Sequence, residues 1–250
     1  MNDSNKLSSE APPIAQQEQY YSERWRREKY ANRLSSELMG SVLQLLAQAD
    51  GPYPPRICDL GCGRGWSTAI LSEFGKATGV DLADLSEARL RYPQCEFHSV
   101  NIPDWDAPAA EFDLVVSQEV IEHIERSLQP KFLAIANQLL KPGGYLILTT
   151  PNRPTLNAIP AGGRSYTNQP IEEWLNARDL RQLMRKAGFD VLHLNSLILG
   201  VGSRGLYRFV NSTKLHRLWK VLGMGEFSKW AACRAGFGLH LIVLARKPFR

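Results

Sequence analysis

The sequence predicts an α/β fold: a doubly wound, mainly parallel sheet of seven strands, with a helical extension at the N-terminus and a cap formed by two insertions. Three observations predict it. Residues 57–81 form one unit: an apolar run, three glycines at alternating positions, a helical pattern and a second apolar run ending in an acid. Apolar runs then alternate with helical patterns to the C-terminus, as parallel strands joined by crossover helices require. Residues 151–175 and 197–236 break that alternation with Pro, Gly and basic residues.

Residues 1–14 are polar and proline-bearing and are expected to be a disordered tail. The remainder, 15–250, is expected to form a single domain. From Ala15 to Ala49 the spacing is helical, led by Tyr20, Tyr21, Trp25 and Tyr30, with Leu34, Leu38, Val42, Leu45 and Leu46 recurring on one face. Asp50-Gly-Pro-Tyr-Pro-Pro stops that pattern, so 15–50 is read as a helical lid.

The core begins with a strand at Arg56–Leu60. Gly61, Gly63 and Gly65 permit a tight turn and remove the Cβ atoms that would keep a ligand off the backbone. A helix follows from Trp66 to Phe74, then a strand from Ala77 to Val80 closed by Asp81. A carboxylate there can accept from two vicinal ribose hydroxyls. The spacing is G-x-G-x-G rather than the dinucleotide G-x-G-x-x-G, and Asp59 precedes it. An acid at that place opposes a pyrophosphate and suits a cationic ligand, such as an ammonium or a sulfonium.

Further along, Asp84–Glu87 reads as a capping box for a helix to Arg91, and Cys95–Ser99 as a third strand. Phe112–Ser117 is a fourth strand, Val120–Leu140 mostly helix with a break near Pro130, and Tyr145–Thr150 a fifth strand. Asn176 caps a helix that runs to Lys186 and ends at Gly188. Phe189–Leu194 and Leu239–Ala245 complete the sheet.

These residues carry a resemblance. Asp59-Leu-Gly-Cys-Gly-Arg-Gly65 and Gly-Val-Asp81 resemble motifs I and II of class I S-adenosylmethionine-dependent methyltransferases, a Rossmann-like fold. Phe97-His-Ser-Val-Asn101-Ile102 is similar to the next family motif, with Asn101 where the family usually has Asp. Leu140-Lys-Pro-Gly-Gly is similar to the turn into the fifth strand. The resemblance implies S-adenosylmethionine as cofactor, held by Asp59, Gly61, Cys62, Gly63, Gly65, Asp81, Leu82, Asn101, Ile102 and Ser117.

Glu119-Val-Ile-Glu122-His123 resembles the E-x-x-E-H pattern of ubiquinone-type O-methyltransferases and small-RNA 2′-O-methyltransferases, where a divalent metal accompanies it. On a helix, positions 119, 122 and 123 share a face, so Glu119, Glu122 and His123 could hold Mg²⁺. The RNA enzymes need a second histidine, and Ile124 stands there. His123 alone could instead take the acceptor's proton or orient the substrate, with a purely structural role for the three residues as the remaining reading. Tyr20, Tyr21, Tyr166 and Trp174 are the candidate acceptor contacts, with core packing or loop anchoring as the alternative.

The expected activity is methyl transfer to a small-molecule acceptor at a hydroxyl oxygen. The alternatives are a metal-assisted, membrane-associated quinone- or catechol-type O-methyltransferase and a non-catalytic cofactor-binding module. A net charge of +5 over 250 residues does not argue for nucleic acid. The four cysteines form no C-x-x-C pair and suit reduced thiols in the cytoplasm. The basic, apolar-interleaved stretch within 204–222 is read as a solvated helical cap, in preference to an element on an anionic membrane surface or a cover over an acceptor pocket.

Overall fold

The computed structural model describes residues 11–27, 32–158, 169–199, 208, 210 and 212–249. Seven strands form one sheet: β1 (Arg56–Leu60), β2 (Lys76–Asp81), β3 (Glu96–Ser99), β4 (Phe112–Gln118), β5 (Leu140–Pro151), β6 (Asp190–Leu199) and β7 (Gly238–Arg246), in the order β3-β2-β1-β4-β5-β7-β6. The pairs from β3 through β5 are parallel; β7 runs antiparallel between β5 and β6. The chain moves outward from β1 to β3 and returns to β4 on the other side of β1. Ligands in open α/β sheets bind at such a reversal, outside the carboxyl ends of the strands.

Strand side chains alternate between two apolar layers, as burial on both faces requires. Cys58, Leu60, Val115, Leu146 and Leu148 belong to one core with Phe132, Leu133 and Leu139 of α5 (Gln129–Leu139) and, past the short α6 (Arg153–Asn157), Leu180 and Met184 of α7 (Ala177–Lys186). Ile57, Leu114, Val116 and Ile147 belong to the other, with Met39 and Val42 of α2 (Arg33–Leu46) and Leu71 of α3 (Trp66–Leu71). Within the stretch read as a lid, α2 therefore builds a core layer, and α1 (Ile14–Arg27) is the part that reaches the glycine turn. The tail reading of 1–14 lies outside the described residues up to Glu10; beyond it, Gln17 donates to the Pro12 carbonyl at the start of α1.

The local chemistry explains the ends of the elements. Asn32 and Ser35 form a reciprocal capping box on α2. Asn176 accepts from the Asp179 N–H at 2.8 Å to cap α7, as its sequence suggests. Asp84 departs from its expected role: it bonds the amide and hydroxyl of Ser86, two residues on, and no side chain caps α4 (Ser86–Arg91). The reading of 120–140 as mostly helix with a break near Pro130 is also corrected. Residues 121–123 make one 3₁₀ turn, and α5 starts at Gln129, with Pro130 in its first turn, where a missing N–H is not needed.

Candidate functional site

The turn after β1 folds as its glycines dictate. Gly61 has φ +89, and a Cβ there would lie 2.2 Å from Cγ2 of Val120, the residue at the start of the 3₁₀ turn after β4. The two loops that flank the sheet reversal thus touch at bare backbone. Gly63 has φ +54, and the Trp25 ring of α1 lies against it, 3.3 Å from where a Cβ would be. The bare face read as a ligand surface is covered by this indole.

Asp81 sits at the tip of β2, with one oxygen accepting from the Gly63 N–H at 2.8 Å and the other from the Ala83 N–H at 2.9 Å. Each oxygen keeps a lone pair for a further donor. Leu82, half-buried, follows Asp81, and its N–H dipole adds to the backbone field on this carboxylate. Burial raises the Asp81 pKa, and these backbone donors oppose the rise.

Asp59 is 1% exposed, and its Oδ2 accepts from Ser67 Oγ at 2.6 Å and Thr68 Oγ1 at 2.7 Å. It ties β1 to the first turn of α3. Desolvation pushes its pKa up to about 6, against the pull of these two hydroxyls. Cys62 turns its thiol into a small core with Phe97 and Leu85 and gives its N–H to the Val80 carbonyl.

Asn101 is half-buried, and its Nδ2 donates to Asp104 Oδ2 at 2.6 Å. A carboxylate only accepts, so this bond fixes which end of the amide is nitrogen and leaves the carbonyl oxygen outward. Ile102 is 5% exposed and belongs to the α5-side core. Ser117, fully buried near the end of β4, has a hydroxyl with no partner among the described residues.

The Glu119–His123 segment departs most from its sequence reading. Glu119 adopts the left-handed conformation, φ +55, unusual for a residue with a Cβ. Two bonds hold it: its N–H donates to the Thr149 carbonyl at 3.0 Å, and its Oε2 accepts from His240 Nδ1 of β7 at 2.8 Å. Glu122 is 1% exposed and accepts from Thr150 Oγ1 at 2.9 Å; burial, then the nearby Glu119 charge, hold its pKa well above the carboxylate range. The His123 Nδ1 lies 2.9 Å from the Ile171 carbonyl, and its Nε2 lies 3.7 Å from Glu122 Oε1.

The metal reading of Glu119, Glu122 and His123 is therefore corrected. It needed one face of a helix, and the chain there is a left-handed residue followed by a 3₁₀ turn. Each side chain is committed to a different partner, and among the described residues no cluster of three or more His, Cys, Asp or Glu could hold a metal ion. Mg²⁺ has no support in this arrangement.

The ribbon 171–175 secures His123. Besides the Ile171 carbonyl, the Glu173 N–H donates to the Glu122 carbonyl at 2.7 Å, and Gln129 Nε2 bridges the carbonyls of Ile121 and Glu173. Trp174 is half-buried in this ribbon, and Tyr166 lies outside the described residues. Above His123 lies α1: the Tyr21 ring is 6.0 Å from the imidazole and stacks on Trp25, and Tyr20 meets Tyr21 edge-on. Burial raises the Tyr21 pKa and lowers that of His123.

Several polar atoms around this crevice are buried without a partner among the described residues: Tyr21 Oη, Trp25 Nε1, Glu119 Oε1 and Thr149 Oγ1. Buried polar groups are nearly always satisfied, so such a group of orphans leaves places for further polar partners. His240, Thr150, Asp104 and the Ile171 carbonyl were not singled out in the sequence. Glu119 and His240 are 121 positions apart, and a backbone carbonyl leaves no sequence signature.

A family described as "Methyltransferase domain" matches residues 24–194. The chain belongs to this methyltransferase family. Curated relatives agree with the motifs: a Mycolicibacterium smegmatis protein named "Probable S-adenosylmethionine-dependent methyltransferase" is 31% identical over 150 residues, 58% of this chain and 56% of the relative. A "Ubiquinone biosynthesis O-methyltransferase" of Nitrosococcus oceani is 29% identical over 163 residues, 57% of this chain and 66% of the relative. The chain thus spans little more than half the length of the first of these. Among solved structures, the Burkholderia thailandensis 1,6-didemethyltoxoflavin-N1-methyltransferase with bound S-adenosylhomocysteine superposes with a TM-score of 0.61 at 17% identity, covering 96% of this chain and 93% of that one. That likeness supports the class I methyltransferase fold.

Proposed function

We propose that this chain transfers a methyl group from S-adenosylmethionine to a hydroxyl oxygen of a small-molecule acceptor, with His123 as the proton acceptor. The bound cofactor would supply a sulfonium methyl activated for displacement. Asp81 would accept from the ribose hydroxyls, and the Asn101 carbonyl, oriented by Asp104, would accept from the adenine amino group. Asp59 would act on the sulfonium and ammonium charges through space, since Oδ2 is engaged by Ser67 and Thr68. The orphaned Tyr21 hydroxyl and the Glu119 oxygen fit an acceptor's polar groups. Ser117, Leu82, Ile102 and the turn glycines would complete the cofactor's surroundings.

The observation that carries the reading is the 2.9 Å contact between His123 Nδ1 and the Ile171 carbonyl. A carbonyl oxygen only accepts, so the bond to Ile171 places the hydrogen on Nδ1 and leaves the Nε2 lone pair free. Burial keeps the ring neutral at pH 7. Nε2 would take the acceptor's O–H proton and leave the oxygen as the nucleophile toward the methyl group that the cofactor would supply. Four free thiols at Cys58, Cys62, Cys95 and Cys233 agree with a reducing, cytoplasmic setting.

The test is transfer of a labelled methyl group to a fractionated small-molecule extract. Wild type should label one fraction. His123→Gln should lose about 10²- to 10⁴-fold in rate with unchanged affinity for S-adenosylhomocysteine. Wild-type rates in His123→Gln would remove the base assignment; cofactor binding with no labelled fraction would favour a non-catalytic module.

A further inference from the structure

The second insertion ends in two helices, α8 (Thr213–Val221) and α9 (Gly225–Arg234), joined by a tight turn at Gly223. The solvated cap expected from the sequence would show water a polar face. The structure shows a mixed face with a large apolar share: Leu218 is 54% exposed, Val221 84%, Leu222 58%, Met224 40%, Phe227 58% and Trp230 56%. Half of the exposed large apolar side chains among the described residues fall in this stretch of 13. Leu218 and Val221 share one face of α8 at i and i+3, Leu222 follows at its C-cap, and Phe227 stacks on Trp230 across one turn of α9. Such a concentration on a chain's surface marks an interaction site.

Cations surround it. Lys214, Arg217, Lys220, Lys229 and Arg234 are all exposed, and Arg234 lies over the Trp230 ring at 5.4 Å. The single acid, Glu226, is paired with Lys229 at 2.8 Å. A net charge of +5 for the whole chain is thus largely concentrated on this hairpin.

We infer that the α8–α9 hairpin seats this protein on an anionic bilayer surface. The apolar tip would enter the headgroup–acyl boundary while the cations meet lipid phosphates. A second copy of the chain is the poorer occupant, because a two-fold contact through this patch would set five cations against five. No described helix is long and apolar enough to cross a membrane, so the seat is peripheral.

The base of the hairpin is fixed to the candidate site. Ser196 donates to the Cys233 carbonyl at 2.6 Å, and Asn152, one residue past β5, donates to the carbonyls of Gly236 and Gly238 at 3.0 and 2.8 Å. His240 follows two residues later and holds Glu119. The bilayer seat therefore shares the sheet edge that carries His123. On the methyl-transfer reading above, an acceptor presented there is amphiphilic, with its hydroxyl at the lipid–water boundary.

The experiment is sedimentation of the full chain with vesicles of phosphatidylcholine alone or mixed with phosphatidylglycerol. Expected are binding to the anionic vesicles only, and a loss of about tenfold or more in Val221→Glu/Trp230→Glu and in the charge variant Arg217→Gln/Lys220→Gln. Both pairs are exposed, so thermal melting and S-adenosylhomocysteine binding should stay as in wild type. Should the apolar variant fail to fold, the charge variant decides. Equal binding to neutral vesicles, unchanged binding in a folded variant, or a concentration-dependent dimer abolished by either pair would overturn the inference. Cofactor binding is read separately, so failure on vesicles leaves the methyl-transfer reading standing.

Discussion

Asp59 combines two demands that usually conflict. As the anchor between β1 and α3 it needs only an acceptor oxygen for Ser67 and Thr68, which an amide supplies equally well. As a counter-charge it must be ionised, and burial has raised its pKa to about 6. Below that pH the folded state holds the proton; above it the carboxylate is charged and attracts a sulfonium. Affinity for S-adenosylmethionine should therefore rise as pH increases from about 5 to 7, and rise less for S-adenosylhomocysteine, which lacks the sulfonium charge. Asp81, also raised by burial, contributes in the same direction. Calorimetry on wild type and Asp59→Asn checks this: the variant should retain the fold and lose most of the difference between the two ligands. Parallel pH curves for both ligands in wild type would remove the electrostatic role. This carboxylate and Asp81 were legible because each needs only local sequence: glycines that allow the turn and an acid at a strand tip. His240 was not, because its approach to Glu119 depends on β7 entering the sheet antiparallel beside β5, with Pro151 opposite His240.

At the scale of elements, helical spacing misleads in two places. The 120–140 stretch has helix-like apolar spacing, yet Glu119 takes a left-handed conformation and the first turn closes on the 171–175 ribbon. Tertiary hydrogen bonds to the Thr149 and Ile171 carbonyls and from His240 override the local preference. The 15–50 stretch is helical as read, but periodicity alone cannot say that α2 belongs in the core and α1 at the crevice. α1 covers Gly63 with Trp25 and touches the β2–α4 loop where the Asp84 N–H donates to the Ser22 hydroxyl at 3.0 Å. A nucleoside lying on Gly63 must displace that indole. Titration with S-adenosylhomocysteine should therefore change the tryptophan fluorescence, and Trp25→Phe should abolish most of the change while binding persists. An identical response from the variant would mean that α1 stays in place.

For the whole molecule, the sheet order follows from alternation and from where the chain reverses. β1, β2 and β4 are short stretches buried on both faces and bounded by turn residues, so their existence was evident from composition and length. The placement of β7 between β5 and β6 was not, since both neighbours are long-range and no motif encodes the antiparallel register. The reversal beside β1 brings the glycine turn, Asp81 and the Glu119–His123 segment to one crevice, and the hairpin before β7 brings a basic, apolar surface to the same edge. Cofactor chemistry is thus written in local motifs, and acceptor chemistry in contacts between distant segments. The most direct test is calorimetric titration of the purified chain with S-adenosylhomocysteine, alongside Asp81→Ala. A crevice built for this cofactor predicts one saturable site in wild type and a loss of about tenfold or more when the carboxylate that would accept the ribose hydroxyls is removed. No binding to wild type, or equal binding to Asp81→Ala, would contradict it.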